Sequence, residues 1–281
     1  MFELTVQNLR GEQLRLTDSK CYNVLEISGL DPPNAAINMK KISGVDGAKF
    51  GGSRIEQRNI VITLNIKYPI EENRLNLYKF FQVKRYIKIY FVTRTRNVYI
   101  EGYVESFENS HFTQIQKPVI SILCPDPYWK STDETTVYFT TSNALFEFPF
   151  SIPQGGIPFS ERSVITETYI NTGDVPTGGI IEFTASGTVV NPKFINNTAG
   201  KFFEFDYEMQ SGDRIVLNTN QGEKSAVLKR LYYETNIISS RTSGSSWIVF
   251  ESGENQISYT AESGSEHLSV KVSAIQKYEG V

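Results

Sequence analysis

A chain of 281 residues with 40% apolar and 21% charged side chains is long and apolar enough for one large or two ordinary globular domains, which excludes a disordered polymer. The net charge of −3 excludes the basic footprint of a sequence-reading nucleic-acid binder. Cys21 and Cys124 are far apart and form no CxxC pair, so they read as reduced core thiols and not as a disulfide or metal ligands. The N-terminal Met1-Phe2-Glu3-Leu4-Thr5 has neither the basic nor the apolar region of a signal peptide, and no apolar run approaches the ~18–20 residues that span a bilayer. Charge is uneven: residues 1–134 carry 18 basic and 15 acidic groups, residues 135–281 carry 10 and 16. That change of sign predicts two domains, 1–134 and 135–281.

In chain order, residues 1–16 predict two strands around an Arg10-Gly11-Glu12 turn, and 22–27 a third. Residues 28–53 are crowded with turn chemistry: Ser28-Gly29, Asp31-Pro32-Pro33-Asn34, Ser43-Gly44, Asp46-Gly47 and Gly51-Gly52-Ser53. Such a length is either a mobile functional loop or an extended hairpin, and a hairpin that becomes ordered against another subunit is the favoured reading. Gly44-Val45-Asp46-Gly47 lacks the Gly-Lys-Ser/Thr of a phosphate loop. Residues 56–68 predict a strand in which Ile60, Ile62, Leu64, Ile66 and Tyr68 share a buried face. A helix follows at about 70–83, with Pro69 at its start, Glu71 and Glu72 at the positive end of the dipole, and Leu77, Phe80 and Phe81 on one face. Strands at 86–93 and 98–107 pair across Arg94-Thr95-Arg96-Asn97. Their lysines and tyrosines imitate a nucleic-acid patch, but Tyr86, Lys88 and Tyr90 alternate with core residues Ile87, Ile89 and Phe91. A last strand, 118–123, runs into Cys124-Pro125-Asp126-Pro127-Tyr128-Trp129, where prolines stop the ladder and the aromatic pair caps the core.

From Thr135 no helical period appears. Strands are predicted at 135–140, 144–150, 164–170, 180–185, 193–196, 201–208, 213–219, 223–231, 246–251, 255–260 and 267–276, with an irregular loop at 149–162. Turn signals at these intervals predict a sandwich or jelly roll. The fold class is therefore mainly β: an N-terminal β-rich domain with one α-helix, then a β-sandwich.

Chemistry is sparse. Glu204, Asp206 and Glu208 alternate with Phe203, Phe205 and Tyr207. Their spacing of roughly 6.5–7 Å on a strand would suit a calcium site or a glycosidase pair, but a solvated strand face accounts for it more simply. His111 and His267 belong to no HExxH pattern or triad, and GxSxG and GxGxxG are absent. No catalytic residue, metal ligand or cofactor-binding residue is assigned, and no enzyme activity is expected.

The ordered set of Ser43-Gly44-Val45-Asp46-Gly47, Arg58-Asn59-Ile60-Val61-Ile62-Thr63-Leu64, the single helix, Cys124-Pro125-Asp126-Pro127-Tyr128-Trp129, Asn191-Pro192, Gly212-Asp213-Arg214-Ile215-Val216-Leu217-Asn218-Thr219, Trp247, Gly253-Glu254-Asn255-Gln256-Ile257 and Tyr278-Glu279-Gly280-Val281 resembles the distal tail proteins of siphovirus-type bacteriophages. The resemblance implies an N-terminal ring-forming domain, a homohexamer, and a C-terminal galectin-like sandwich pointing outward. It implies a place at the tail tip of a virion assembled in the host cytoplasm. The partners implied are the terminal tail-tube protein, the tail-associated hub protein and a receptor-binding protein, with no sequence-specific nucleic acid and no membrane. The alternative is a glycan-binding adhesin module, for which Trp247, Tyr232, Tyr233 and Tyr259 are available. A closed ring needs two different complementary patches on each subunit. Within 28–53 the residues proposed for one patch are Asp31, Pro32, Pro33, Gly44, Asp46, Gly47, Phe50 and Gly51.

Overall fold

The computed structural model describes residues 2–44, 46–111, 113, 115–139 and 165–281. The predicted strand at 144–150 and the loop at 149–162 lie outside them. The chain forms two compact units, residues 1–133 with 277–281, and residues 134–276. The closing five residues thus belong to the first unit, whereas the charge pattern had placed them in the second.

The first unit contains β1 (Glu3–Asn8), β2 (Gln13–Arg15), β3 (Tyr22–Ser28), β4 (Ala35–Lys41), β5 (Ala48–Ile55), β6 (Arg58–Ile66), α1 (Ile70–Phe80), β7 (Tyr86–Val92), β8 (Asn97–Glu108), β9 (Val119–Cys124) and the start of β10 (Trp129–Phe139). Antiparallel pairing runs β2-β1-β7-β8-β9-β6-β3, and the beginning of β8 also pairs with β10. Period-two alternation fills the core: Leu4 and Val6, Ile60, Ile62, Leu64 and Ile66, Ile87, Ile89 and Phe91, and Ile120 and Ile122 are buried. The opposite face of β7 carries Tyr86, Lys88 and Tyr90 as expected, with the Lys88 ammonium 3.6 Å from the centre of the Tyr99 ring. Tyr68 departs from the expected alternation and is 89% exposed, because β6 ends at Ile66 and Pro69 then opens the helix. The helix stops at Phe80, and the Phe81 amide closes it by donating to the Leu77 carbonyl. Leu77 and Phe81 enter the core while Phe80 is only partly covered. Trp129 is fully buried against Phe91, with a ring separation of 6.0 Å.

The second unit continues from β10 through β11 (Ile165–Asn171), β12 (Ile180–Ala185), β13 (Val189–Val190), β14 (Lys193–Asn196), β15 (Lys201–Glu204), β16 (Glu208–Met209), β17 (Arg214–Asn218), β18 (Ser225–Arg230), β19 (Tyr233–Asn236), β20 (Gly253–Thr260) and β21 (Leu268–Tyr278). One sheet runs β19-β18-β17-β12-β21 and another β11-β20-β14-β15. Phe183, Ile215, Leu217 and Val270 from the first sheet share a core with Tyr169, Phe194, Phe203 and Ile257 from the second, which makes the unit a sandwich. Two expectations need correction. Residues 201–208 are not one strand: β15 ends at Glu204, Phe205 and Asp206 bond to Pro192 and Ser240, and β16 pairs separately with β13. Residues 246–251 bury Ile248 and Phe250 in alternation but form no ladder, only a single bridge from Phe250 to Thr177. Side-chain period reports burial, and a lone segment can bury alternate residues without a strand partner. The short β13 and the exposed β19 had no such period and were not expected.

A candidate assembly surface on the first unit

Residues 28–53 resolve into the extended-hairpin alternative. β4 and β5 pair with each other and with no other described strand, in the register Ala35↔Ile55, Ile37↔Ser53, Asn38↔Gly52, Met39↔Phe50, Lys40↔Lys49 and Lys41↔Ala48. Gly44 and Gly47 turn the tip with φ of 79° and 93°, left-handed values that a side chain disfavours. Between Asn38 and Met39 the register shifts, leaving Gly51 as the extra residue of a bulge that sharpens the local twist.

Directly opposed residues share a face of a two-stranded ribbon. One face here carries Ile37, Met39, Phe50 and Ile55, which are 57%, 56%, 59% and 38% exposed. The other carries Lys40 opposite Lys49, with Arg54 farther toward the root. A solitary hairpin is marginal in water, and this one leaves an apolar face wet. Covering the exposed half of four such side chains is worth about 3–6 kcal/mol. The Lys40–Lys49 apposition costs about 0.2–1 kcal/mol in isolation and favours an acidic surface near that face.

The root is held rigidly. Arg58 opens β6 with 4% exposure. Its Nη1 donates to the carbonyls of Gly29 and Asp31, each at 2.6 Å, its Nε donates to Pro127 at 2.6 Å, and its Nη2 donates to Glu279. Burial pulls the guanidinium pKa down, while the neighbouring Cys124, Asp31 and Glu279 push it back up. A guanidinium stays charged throughout the working pH range. It therefore holds these carbonyls by charge-assisted bonds, each stronger than a neutral one.

The eight residues proposed from sequence fall in three places. Asp31, Pro32 and Pro33 form the root, Gly44, Asp46 and Gly47 the tip, and Phe50 and Gly51 the middle of β5. Seven paired positions at ~3.4 Å each put root and tip roughly 20 Å apart, so they mark the two ends of a ribbon and not one spot. Phe50 alone of the eight contributes to the apolar face. Ile37, Met39 and Ile55 were missed, although alternation of Ile37 and Met39 around Asn38 was there to be read. Arg58 was missed as the organiser of the root because its partners are backbone carbonyls, which leave no trace in residue type.

The chemistry-bearing groups are dispersed. Glu204 pairs with Lys193 at 3.4 Å on β15, while Asp206 and Glu208 lie beyond the strand break, so the three carboxylates do not share one strand face. Asp213 is buried and accepts two bonds from Arg230 and one from the Gln210 amide. Those bonds, Arg230 foremost, hold its carboxyl below the usual range against the opposing effect of burial. Cys124 is a free buried thiol that burial pushes up to about 12. Among the described residues no group of three or more His, Cys, Asp or Glu is arranged to hold a metal ion.

The class the fold defines is an antiparallel β protein whose most distinctive surface is an exposed amphipathic ribbon. Two family descriptions match its sequence: phage tail protein RIFT-related domain over residues 9–124, and siphovirus-type tail component, C-terminal domain, over residues 172–274. Together they span most of the chain, which belongs to the siphovirus-type tail component family and is a structural component of a phage tail. No curated protein sequence matches it significantly. Among solved structures, the Dit protein of phage SPP1, described as a paradigm of hub adsorption apparatus in phages infecting Gram-positive hosts, superimposes with a TM-score of 0.69 at 16% identity, covering 99% of both chains. A chain of the phage P2 baseplate in its activated conformation with Ca gives 0.55 at 14% identity, covering 100% of both. At these identities the likeness is one of fold.

Proposed function

We propose that this chain is the subunit of a distal tail hub: six copies close into a ring that joins the tail tube to the tail tip and carries peripheral adsorption components. The observation that carries this reading is the β4–β5 ribbon, whose apolar face no described part of its own chain covers. In a cyclic assembly each subunit offers one patch to the next and receives another, and the ribbon suits the offered patch. A single contact worth about 3–6 kcal/mol does not offset the ~4–15 kcal/mol cost of association. The remaining surface of the contact and the closure of the ring, which makes the final contacts intramolecular, supply the rest. The partners are other copies of the chain, the terminal tail-tube protein, the tail-associated hub protein and a receptor-binding protein. The galectin-like second unit faces outward, and the ring forms in the host cytoplasm before it becomes part of the virion tail tip.

The test is to replace residues 35–55 with a short Gly-Ser turn. The variant is expected to remain folded and soluble and to lose the ring. Intact hexamers of the variant in native mass spectrometry would overturn the reading.

A second reading, a glycan-binding adhesin module, draws on the β18–β19 turn. There Leu231, Tyr232 and Tyr233 are 91%, 96% and 76% exposed. The other two aromatics considered for it are less available: Tyr259 is buried, and Trp247 packs on Phe203 at 5.2 Å. Calorimetric titration with host cell-wall glycans, on the native chain and on Tyr232→Ala/Tyr233→Ala, separates the two readings.

A further inference from the structure

Residues 277–281 follow the whole second unit in chain order yet pack in the first. Their contacts converge on the root of the β4–β5 ribbon. The Val281 amide donates to the Leu30 carbonyl at 3.2 Å. Gly280 lies so close to the root that an added Cβ would meet the Leu30 carbonyl oxygen at 3.2 Å and the Pro32 ring at 3.3 Å. The Glu279 carbonyl accepts from Arg58, the same buried guanidinium that holds Gly29 and Asp31. Two further bonds anchor the tail from outside the root. Arg96 donates to the Gly280 carbonyl and stacks 4.4 Å from the centre of the Tyr278 ring. The Lys277 ammonium donates to Asp126 at 3.1 Å. One cation therefore ties the tail and the ribbon root to the same point, and the tail backbone also contacts the root directly at Leu30 and Pro32.

We propose that residues 277–281 are a clamp that fixes the root of the β4–β5 ribbon, so that the assembly surface is completed only after the second unit has been synthesised. The clamp rests on the reading of the ribbon as a ring contact. Without the tail, Arg58 keeps its bonds to Gly29 and Asp31 but loses Glu279, and Leu30 loses its amide partner. The root then fluctuates and the ribbon no longer points one way. A rigid ribbon is pre-organised for binding, whereas a swinging one loses its freedom on association. The device thus holds back ring formation by chains whose second unit is still unmade, which on a ribosome would otherwise assemble with unfinished partners. Arg96 is a positioning residue in this scheme: it acts on the ribbon through Gly280.

The test compares the full chain with the chain ending at Gln276, with Arg96→Gln and with Arg96→Lys. Hydrogen exchange of segments 27–34 and 54–58 is followed by mass spectrometry, and ring content by mass photometry. Exchange in those segments is expected to rise roughly tenfold in the truncated chain, the effect of losing one or two bonds. It should rise less in Arg96→Gln and stay near native in Arg96→Lys, which keeps a charged donor for the Gly280 carbonyl and a cation for the Tyr278 ring. Ring content should fall in the same order while exchange throughout residues 165–276 is unchanged. Native exchange in the root segments of both the truncated chain and Arg96→Gln would overturn the clamp. So would undiminished rings from the truncated chain. If the full chain itself makes no rings, the hub reading fails, and the exchange comparison alone still decides whether the tail clamps the root.

Discussion

The two units treat their polar and apolar groups differently. In the second unit three buried asparagines, Asn171, Asn196 and Asn255, are bonded to backbone groups of the same unit. Asn255 accepts from the Glu251 amide at 2.9 Å and donates to the Glu251 and Gly253 carbonyls, and Asn196 donates to the Val249 carbonyl and to Asn255. Asn171 donates to Val175 and Phe250 and accepts from Gly173. These side chains satisfy backbone groups where strands end inside the core, a condition a buried backbone must meet. The first unit closes its core with alternating aliphatic residues and then extends a ribbon whose Ile37, Met39 and Phe50 remain in water. The second unit leaves apolar side chains in water as well, at Leu231, Tyr232 and Tyr233, but they sit in one turn, whereas those of the first unit line one face of a ribbon.

The contrast can be broken in either unit. The largest effect is expected at the ribbon: Met39→Asp with Phe50→Asp places two charges on the apolar face and should lower ring formation by at least about 100-fold, the scale of a lost interface hot spot. The melting temperature of the monomer should barely move. Native ring content in this variant would remove the ribbon from the interface. Next is Asn255→Ala, which orphans several buried groups at once and should cost about 2–4 kcal/mol of second-unit stability. Chemical denaturation followed by Trp247 fluorescence reads this, and ring content under native conditions should be unchanged. A smaller effect attends Asp213→Asn. The Asp213 carboxyl is held below its unfolded range by Arg230, so its stabilisation is complete above about pH 4 and is lost as pH falls through the depressed folded value. The variant should melt a few degrees below the native chain at pH 7, and the gap should close in acid; a gap independent of pH would show that the carboxylate charge is not what stabilises the unit. The smallest concerns the thiols. With Cys124 pushed up to about 12 by burial, alkylation of the native chain at pH 8 should label Cys21 first and Cys124 only on unfolding. Equal rates at the two sites would show that the first-unit core is open.

The mainly β, single-helix fold was legible because alternation and turn chemistry are local signals. Ile60, Ile62, Leu64 and Ile66, or Phe183 with Ile181, announce a strand with one buried face whatever lies across from it. The misreadings share a cause. At 246–251 the period was present but no strand lay alongside, and at 201–208 one apolar alternation continued through a break set by Pro192 and Ser240. Neither neighbour is visible from the segment itself. The ribbon was legible as a long turn-rich segment with several glycines, and its tip at Gly44 and Gly47 followed from their dipeptides. Its amphipathic character was legible on β4, where Ile37 and Met39 alternate, but not on β5, because the bulge at Gly51 shifts the register and brings Phe50 beside Met39. The root was least legible. Arg58 works through carbonyls at Gly29, Asp31, Pro127 and Glu279, residues up to 221 positions away, and only a folded chain brings them together.

Under the proposed function the chain works by closing on copies of itself through the β4–β5 ribbon. The most direct test is light scattering on the purified full chain, alone and mixed with its tail-tube and hub neighbours, followed by negative-stain imaging. The expected result is a closed ring with six times the 31.8 kDa mass of the subunit. A particle that stays at 31.8 kDa at every concentration and in the presence of those neighbours would contradict it.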